Sequence, residues 1–200
     1  MKLGKRLSRV AGGLALASGL LLAGASTSSA TVGATDAVAG AGGASVAASG
    51  AARAHVRDVP ETLRVPAGHQ RGPVLSARGV QVYTCAGGGW TLLEPAATLW
   101  REGDRTKTPV ALHSRGPVWV STTDGSAVTA TAVANSPREG AVPELLLKAA
   151  DHRGTGVFSE VSYIQRLETR GGVAPAGTCA DGAQTAVPYS ATYVFHTPAA

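Results

Sequence analysis

The stretch "GPVWVSTTDGSAVTATAVA", residues 116–134, sets two runs of β-favouring residues around Asp124-Gly125. Both central residues of a type I′ turn need positive φ, which Gly adopts freely and Asp tolerates, so an Asp-Gly pair between such runs predicts a β-hairpin. Working outward, "GVQVYTC" (79–85) alternates, with Val80, Val82 and Thr84 on one face and Gln81, Tyr83 and Cys85 on the other. Further strands are expected at 73–76, 90–93, 97–100, 109–113, 155–167 and 185–196. Most are separated by Gly, Pro or charged clusters such as "REGDRTKT" and "NSPREG". Many short strands with this punctuation and no internal repeat read as an all-β domain, an antiparallel β-sandwich or barrel.

The segment "PELLLKAADHRG" (143–154) admits two readings. Pro at a first helical position, Glu in the first turn and a later Gly suit a short helix. Three successive leucines equally suit a strand buried on both faces, which is the reading favoured here. In "HRGTGVFSEVSYIQRLETRGG" (152–172), a turn is expected to feed a long strand. Val157, Val161, Tyr163 and Leu167 would form its apolar face, with Glu160, Arg166 and Glu168 opposite. His152 and Arg153 then stand at the lip of a turn, where loops carry function more often than strand centres do.

The amino terminus reads differently. Lys2, Lys5, Arg6 and Arg9 precede an uncharged run that ends near the small residues Ser28, Ser29 and Ala30. A secretory signal peptide over 1–30 is expected, since the run is too short and too rich in Gly and Ala for a membrane span. Residues 31–57 carry no aromatic residue and almost no charge before Arg53, the composition of a flexible Ala/Gly/Ser tether. A single β domain is expected over 58–200, with every Trp, Tyr and Phe lying between Tyr83 and Phe195. The first thirty residues hold four of the eighteen basic residues and none of the thirteen acidic ones. The remainder is nearly neutral, without the basic stripe that a nucleic-acid binder needs.

Cys85 and Cys179 are the only cysteines. In an exported chain they are expected to form one disulfide, to which the chain-entropy model assigns about 4–5 kcal/mol.

Several chemistries can be tested against the sequence. The G-x-S-x-G, H-E-x-x-H, Walker A and C-x-x-C patterns are absent, and "GTGVFS" has Ser159 where a dinucleotide fingerprint needs its third glycine. A metal site would draw on His113, His152 and Asp124, although isolated histidines at strand ends read first as surface or structural residues. Glu94, Glu102, Asp104, Asp124 and Glu160 could supply a glycosidase pair, but most sit in turn segments and read as solvated. Trp90, Trp100 and Trp119 are expected mainly in the core, with Trp100, flanked by "REGDR", the one to meet a glycan or small ligand. The candidate ligand-binding residues are therefore His113, Trp119, Asp124, His152, Arg153 and Trp100. No cofactor is expected.

The pieces "YTC" (83–85), "EPAATLW" (94–100), His113 with Gly116-Pro117 and Trp119, "DGS" (124–126), "VPELLL" (142–147), "GTGVFSEVSYIQR" (154–166), "TRGGVAP" (169–175) with Cys179, and "VPYSATYVFH" (187–196) occur in order. Together they resemble a family of exported proteins, domain of unknown function 3455, over nearly all of 63–196. The resemblance implies that Cys85 and Cys179 are an equivalent structural pair, and it names no catalytic residue. The chain departs from it at Glu168, where Asn is frequent, and at His196, where Tyr is common.

These observations favour a secreted, non-catalytic binding or interaction module at the cell envelope or outside the cell, with a glycan or small ligand as partner. An extracellular hydrolase or metal-dependent enzyme using His113, His152 and nearby carboxylates is the alternative. A structural extracellular component is the third.

Overall fold

The computed structural model describes residues 59–200. The expected signal peptide (1–30) and tether (31–57), with Asp58, lie outside the described residues. The described chain forms β1 His69–Ala86, β2 Gly89–Arg101, β3 Ala111–Ser114, β4 Val118–Ser121, β5 Ala127–Arg138, β6 Ala141–Arg153, β7 Tyr163–Gly171 and β8 Gln184–Pro198. Each strand pairs antiparallel with the next, and β8 pairs with β1 from His69↔Pro198 to Thr84↔Gln184. The sheet is therefore a closed up-and-down barrel rather than a sandwich.

Closure demands curvature, and the sequence supplies it locally. Bulges interrupt the register at Val82/Tyr83, at Arg71/Val74 and at Leu167/Arg170, where an extra residue bends a strand. At Gly79 the neighbouring strand comes so close that a Cβ would collide with the carbonyl oxygen of Ala96. The several short strands expected at 73–76, 79–85, 90–93 and 97–100 thus fuse into two long bent ones, β1 and β2.

The inner surface pairs large side chains with small ones. Trp119, Tyr189, Tyr193, Phe158 and Phe195 are nearly or wholly inaccessible, and Ala77, Ala111, Ala130 and Ala191 make room for them. An eight-stranded barrel is just wide enough to be filled by side chains or to hold one small ligand. On β1 the face bearing Gln81, Tyr83 and Cys85 is the inner one.

One end of the barrel is plugged. The hairpin expected at Asp124-Gly125 forms, with Val118↔Thr129 and Val120↔Ala127 paired. Only Gly125 has positive φ, so the turn is longer than the two-residue type I′ form. Its cause is the Asp124 carboxylate, which accepts from Ser126 N and Oγ at 2.9 and 2.6 Å and from Val157 N at 3.0 Å. Ser126 Oγ in turn accepts from Phe158 N at 3.1 Å. Residues 154–162 are thereby drawn in as a loop that seats Phe158 and Val161 in the core. The strand expected from Thr155 therefore begins only at Tyr163, and in it Ile164 and Arg166 face inward while Leu167 faces out, the reverse of the expected polar side for Arg166.

β6 is a strand buried on both faces. Leu145 and Leu147 pack inside, and Leu146 lies outside with Leu167 and Val194 under Leu63. Leu63 ends a short 3₁₀ turn, Glu61–Leu63, in a strap whose carbonyl at Leu63 accepts from Gln165 Nε2 at 2.6 Å. Gln165 Oε1 accepts from His196 Nε2 at 2.9 Å, so the polar groups beneath the strap are satisfied. Next to it Glu144 accepts from Arg138 Nη1 at 2.7 Å and from the Glu168 amide at 2.6 Å. That amide belongs to a residue at φ 53°, a conformation in which Asn is enriched.

Leu63→Ala should lower the unfolding free energy by about 2–5 kcal/mol in urea titration, because it empties a wholly buried site. Gly156→Ala should also destabilise, by about 1–3 kcal/mol from its φ of +152° alone. Its new Cβ would meet the Asp124 carboxyl group, so amide exchange at Val157 and Phe158 should accelerate first.

Candidate functional site

The other end of the barrel carries the turns after β1, β3, β5 and β7. The β7–β8 connection folds over part of it, where Tyr83 Oη donates to Gly172 O at 2.6 Å. A Cβ at Gly172 would crowd Tyr189 and Gln81, so only glycine allows the approach. Cys85 and Cys179 form a disulfide that ties this connection to the end of β1. Backbone bonds from Cys179 N to Gly88 O and from Cys85 N to Ala183 O reinforce it.

Beside that cover a cavity of about 390 Å³ opens into the barrel. Leu92, Pro95, Ala132, Leu145 and Leu147 supply apolar walls, with Trp119 as another. Four polar side chains also line it: Gln81, His113, Arg166 and Tyr193. At the rim Arg115 Nε and Glu94 Oε2 lie 3.8 Å apart.

The buried polar atoms here are unusual. Among the described residues Trp119 Nε1 and Gln81 Nε2 have no hydrogen-bond partner, and the hydroxyls of Tyr189 and Tyr193, which neighbour each other and Arg166, have none in good geometry. An unsatisfied buried donor costs about 1–3 kcal/mol, and native structures hold few of them. Arg166 donates through Nε and Nη2 to Pro143 O at 3.2 and 2.8 Å. It has no carboxylate within ion-pair distance among the described residues, whose three ion pairs are Arg64–Glu61, Arg115–Glu94 and Arg138–Glu144.

Burial governs ionisation in this recess. His113, stacked on Trp119 with ring centroids 4.2 Å apart and planes 9° apart, is pushed down to about 4 by burial, with the Arg166 charge acting in the same direction. The ring is therefore a neutral imidazole near pH 7, and its Nδ1 donates to Val118 O at 2.9 Å, a bond that opposes the shift without cancelling it. Burial raises Tyr189 and Tyr193 above the usual phenol value, while Arg166 pulls both the other way.

Of the residues singled out in the sequence, His113 and Trp119 line this cavity. The others lie elsewhere. Asp124 is held in the opposite end, well below the usual carboxylate range by the Ser126 hydroxyl first and the Val157 and Ser126 amides next. His152 Nε2 donates to Val161 O at 2.7 Å, and Arg153 is the exposed last residue of β6, paired with Ala127. Trp100, half-buried, lines an outer groove with Arg78, Glu168 and Arg170, and Lys107 Nζ stands 5.8 Å from its ring. His113, His152 and Asp124 are not gathered, and among the described residues no three His, Cys, Asp or Glu side chains form a metal-binding group.

Sequence reasoning missed Gln81, Arg166 and Tyr193. Gln81 had a signal, since it shares a face with Cys85 and Tyr83. Arg166 had none, because the inward register of β7 is set by the preceding loop.

A family model described as a protein of unknown function, DUF3455, matches residues 66–197, which span the barrel from just before β1 almost to the end of β8. The chain belongs to the DUF3455 family. No curated protein and no solved structure matches it. The residues of this DUF3455 barrel that line the cavity all fall inside the matched region.

The His113 environment makes stability depend on pH. An unfolded histidine titrates near 6.5 and the folded one at about 4, so between those values the unfolded chain binds the extra proton. Stability is full above pH 6.5, falls by roughly 3 kcal/mol toward pH 4, and loses no more from this group below that. Urea midpoints measured from pH 7 to pH 4 should fall less steeply in His113→Phe, which keeps the ring contact without the titrating nitrogen.

Proposed function

We propose that this DUF3455 protein is a secreted, non-catalytic binding module, acting at the cell envelope or outside the cell, whose barrel mouth takes a small organic ligand. The observation that carries this reading is a half-open cavity with apolar walls, two of whose lining residues, Trp119 and Gln81, hold buried unpartnered donors. Binding sites are commonly concave, mostly apolar and furnished with a few placed polar groups, and barrel mouths are one of their usual positions. A bound molecule that reaches those donors would supply the missing hydrogen bonds, so the cost of burying them becomes binding specificity.

Export is supported by the charged and apolar pattern of residues 1–30 and by the disulfide, a bond that persists in oxidising compartments. No helix among the described residues is long and apolar enough to cross a membrane. The large apolar side chains of the barrel are mostly turned inward, whereas a transmembrane barrel presents an apolar band to lipid. The hydrolase alternative has no comparable support, since His152 and Asp124 are engaged in hydrogen bonds at the plugged end.

A thermal-shift panel of small amphipathic organic compounds, soluble glycans and divalent metals with chelator tests the reading. Organic compounds should raise the midpoint, by about 2.7 kcal/mol of stabilisation at a hundredfold excess over Kd. Ala132→Trp, which fills the mouth, should abolish the shift. Stabilisation by metal that chelator reverses would instead support the enzyme reading, and a response to glycans unaffected by Ala132→Trp would move the site to another surface such as the Trp100 groove.

A further inference from the structure

Resting on the reading that the barrel mouth holds a small ligand, we infer that the ligand is a monocarboxylate on a flat apolar body, with its anion paired to Arg166. Charge is the first argument. Arg166 lines this largely apolar recess, and among the described residues its hydrogen bonds go to the carbonyl of Pro143, with the Tyr193 hydroxyl beside it. Two of its five N–H groups point at that carbonyl, and the others remain for the Tyr193 hydroxyl and a further acceptor. A guanidinium in such surroundings is strongly favoured by an anion, and a carboxylate matches its forked donors in two parallel bonds. The other charges facing the cavity, Arg115 and Glu94 at the rim, offset each other.

Donor chemistry points the same way. The indole Nε1 of Trp119 can only donate, and it lies buried and unpartnered, as does the amide Nε2 of Gln81. Two orphaned donors and a cation call for a molecule rich in acceptors, which a carboxylate is and an amine is not. His113 is held neutral by the same burial and adds no second cation.

Shape supplies the apolar half of the ligand. Trp119 and His113 are stacked nearly parallel, and both line the cavity, which gives it an aromatic wall. Leu145, Leu147 and Pro95 close the other sides. At about 390 Å³ the space equals roughly a dozen water volumes, room for one aromatic ring with a short side arm.

Isothermal titration of the purified secreted chain with phenylacetate and 3-phenylpropionate, their amides and phenethylamine tests this. Both acids should bind at least tenfold more tightly than their amides, and the amine should be weakest. Arg166→Gln should bring each acid to the affinity of its amide, whereas Arg166→Lys, which keeps the charge, should retain part of the preference. Circular dichroism of both variants checks that the barrel has folded. Equal binding of acid and amide by the wild-type chain would overturn the carboxylate inference and leave the cavity reading standing. Binding of none of the five compounds, together with no organic hit in the thermal panel, would overturn both.

Discussion

The pairing of β8 with β1 is the constraint on which the rest of this protein depends. A sheet of eight strands left open would expose two long edges of unpaired amides and carbonyls, a template for association. Closing it removes both edges and fixes the interior cross-section in the same step. The chain meets the geometric demand with bulges at Val82/Tyr83, Arg71/Val74 and Leu167/Arg170, and with Gly79 where a side chain would strike Ala96. Once the ring is shut, the few aromatic residues of an alanine-rich chain suffice to fill most of it, because alanines face them.

The two ends of that ring are treated in opposite ways, and the difference is one of polar satisfaction. At the plugged end Asp124 and Ser126 gather the amides of residues 126, 157 and 158, so that a loop rich in backbone donors can carry Phe158 inward. Every polar group named there has a partner. At the other end the disulfide-tied β7–β8 connection covers only part of the opening, and four buried side-chain polar atoms, at Gln81, Trp119, Tyr189 and Tyr193, have no well-aligned partner among the described residues. Satisfied polar groups and open cavity are thus segregated along the barrel axis.

The outer surface shows a third solution to burial. Residues 59–66 lie as a strap across β5 to β8, so Leu63 sits against Leu146, Leu167 and Val194, and Gln165 links the strap to His196. This explains why β6 and β8 carry apolar residues on both faces. Three consecutive leucines are otherwise hard to place in a barrel strand with one face toward solvent.

Alternation, turn residues and cysteine count were legible without coordinates, since each depends on a few neighbouring residues. The period of two predicted the all-β class, Asp124-Gly125 the hairpin, and the lone cysteine pair the bridge. His113 and Trp119 were also legible as candidates because of their chemistry. What the chain could not reveal locally was closure, the inward turn of Arg166, the capture of 154–162 by Asp124, and the separation of His113 from His152 and Asp124. Each of these depends on contacts between residues distant in sequence, such as Ser126 with Phe158 or His69 with Pro198, whose energies exist only after the strands have met. Residue identity determined the strands; the ring they form decided which side chains share a cavity.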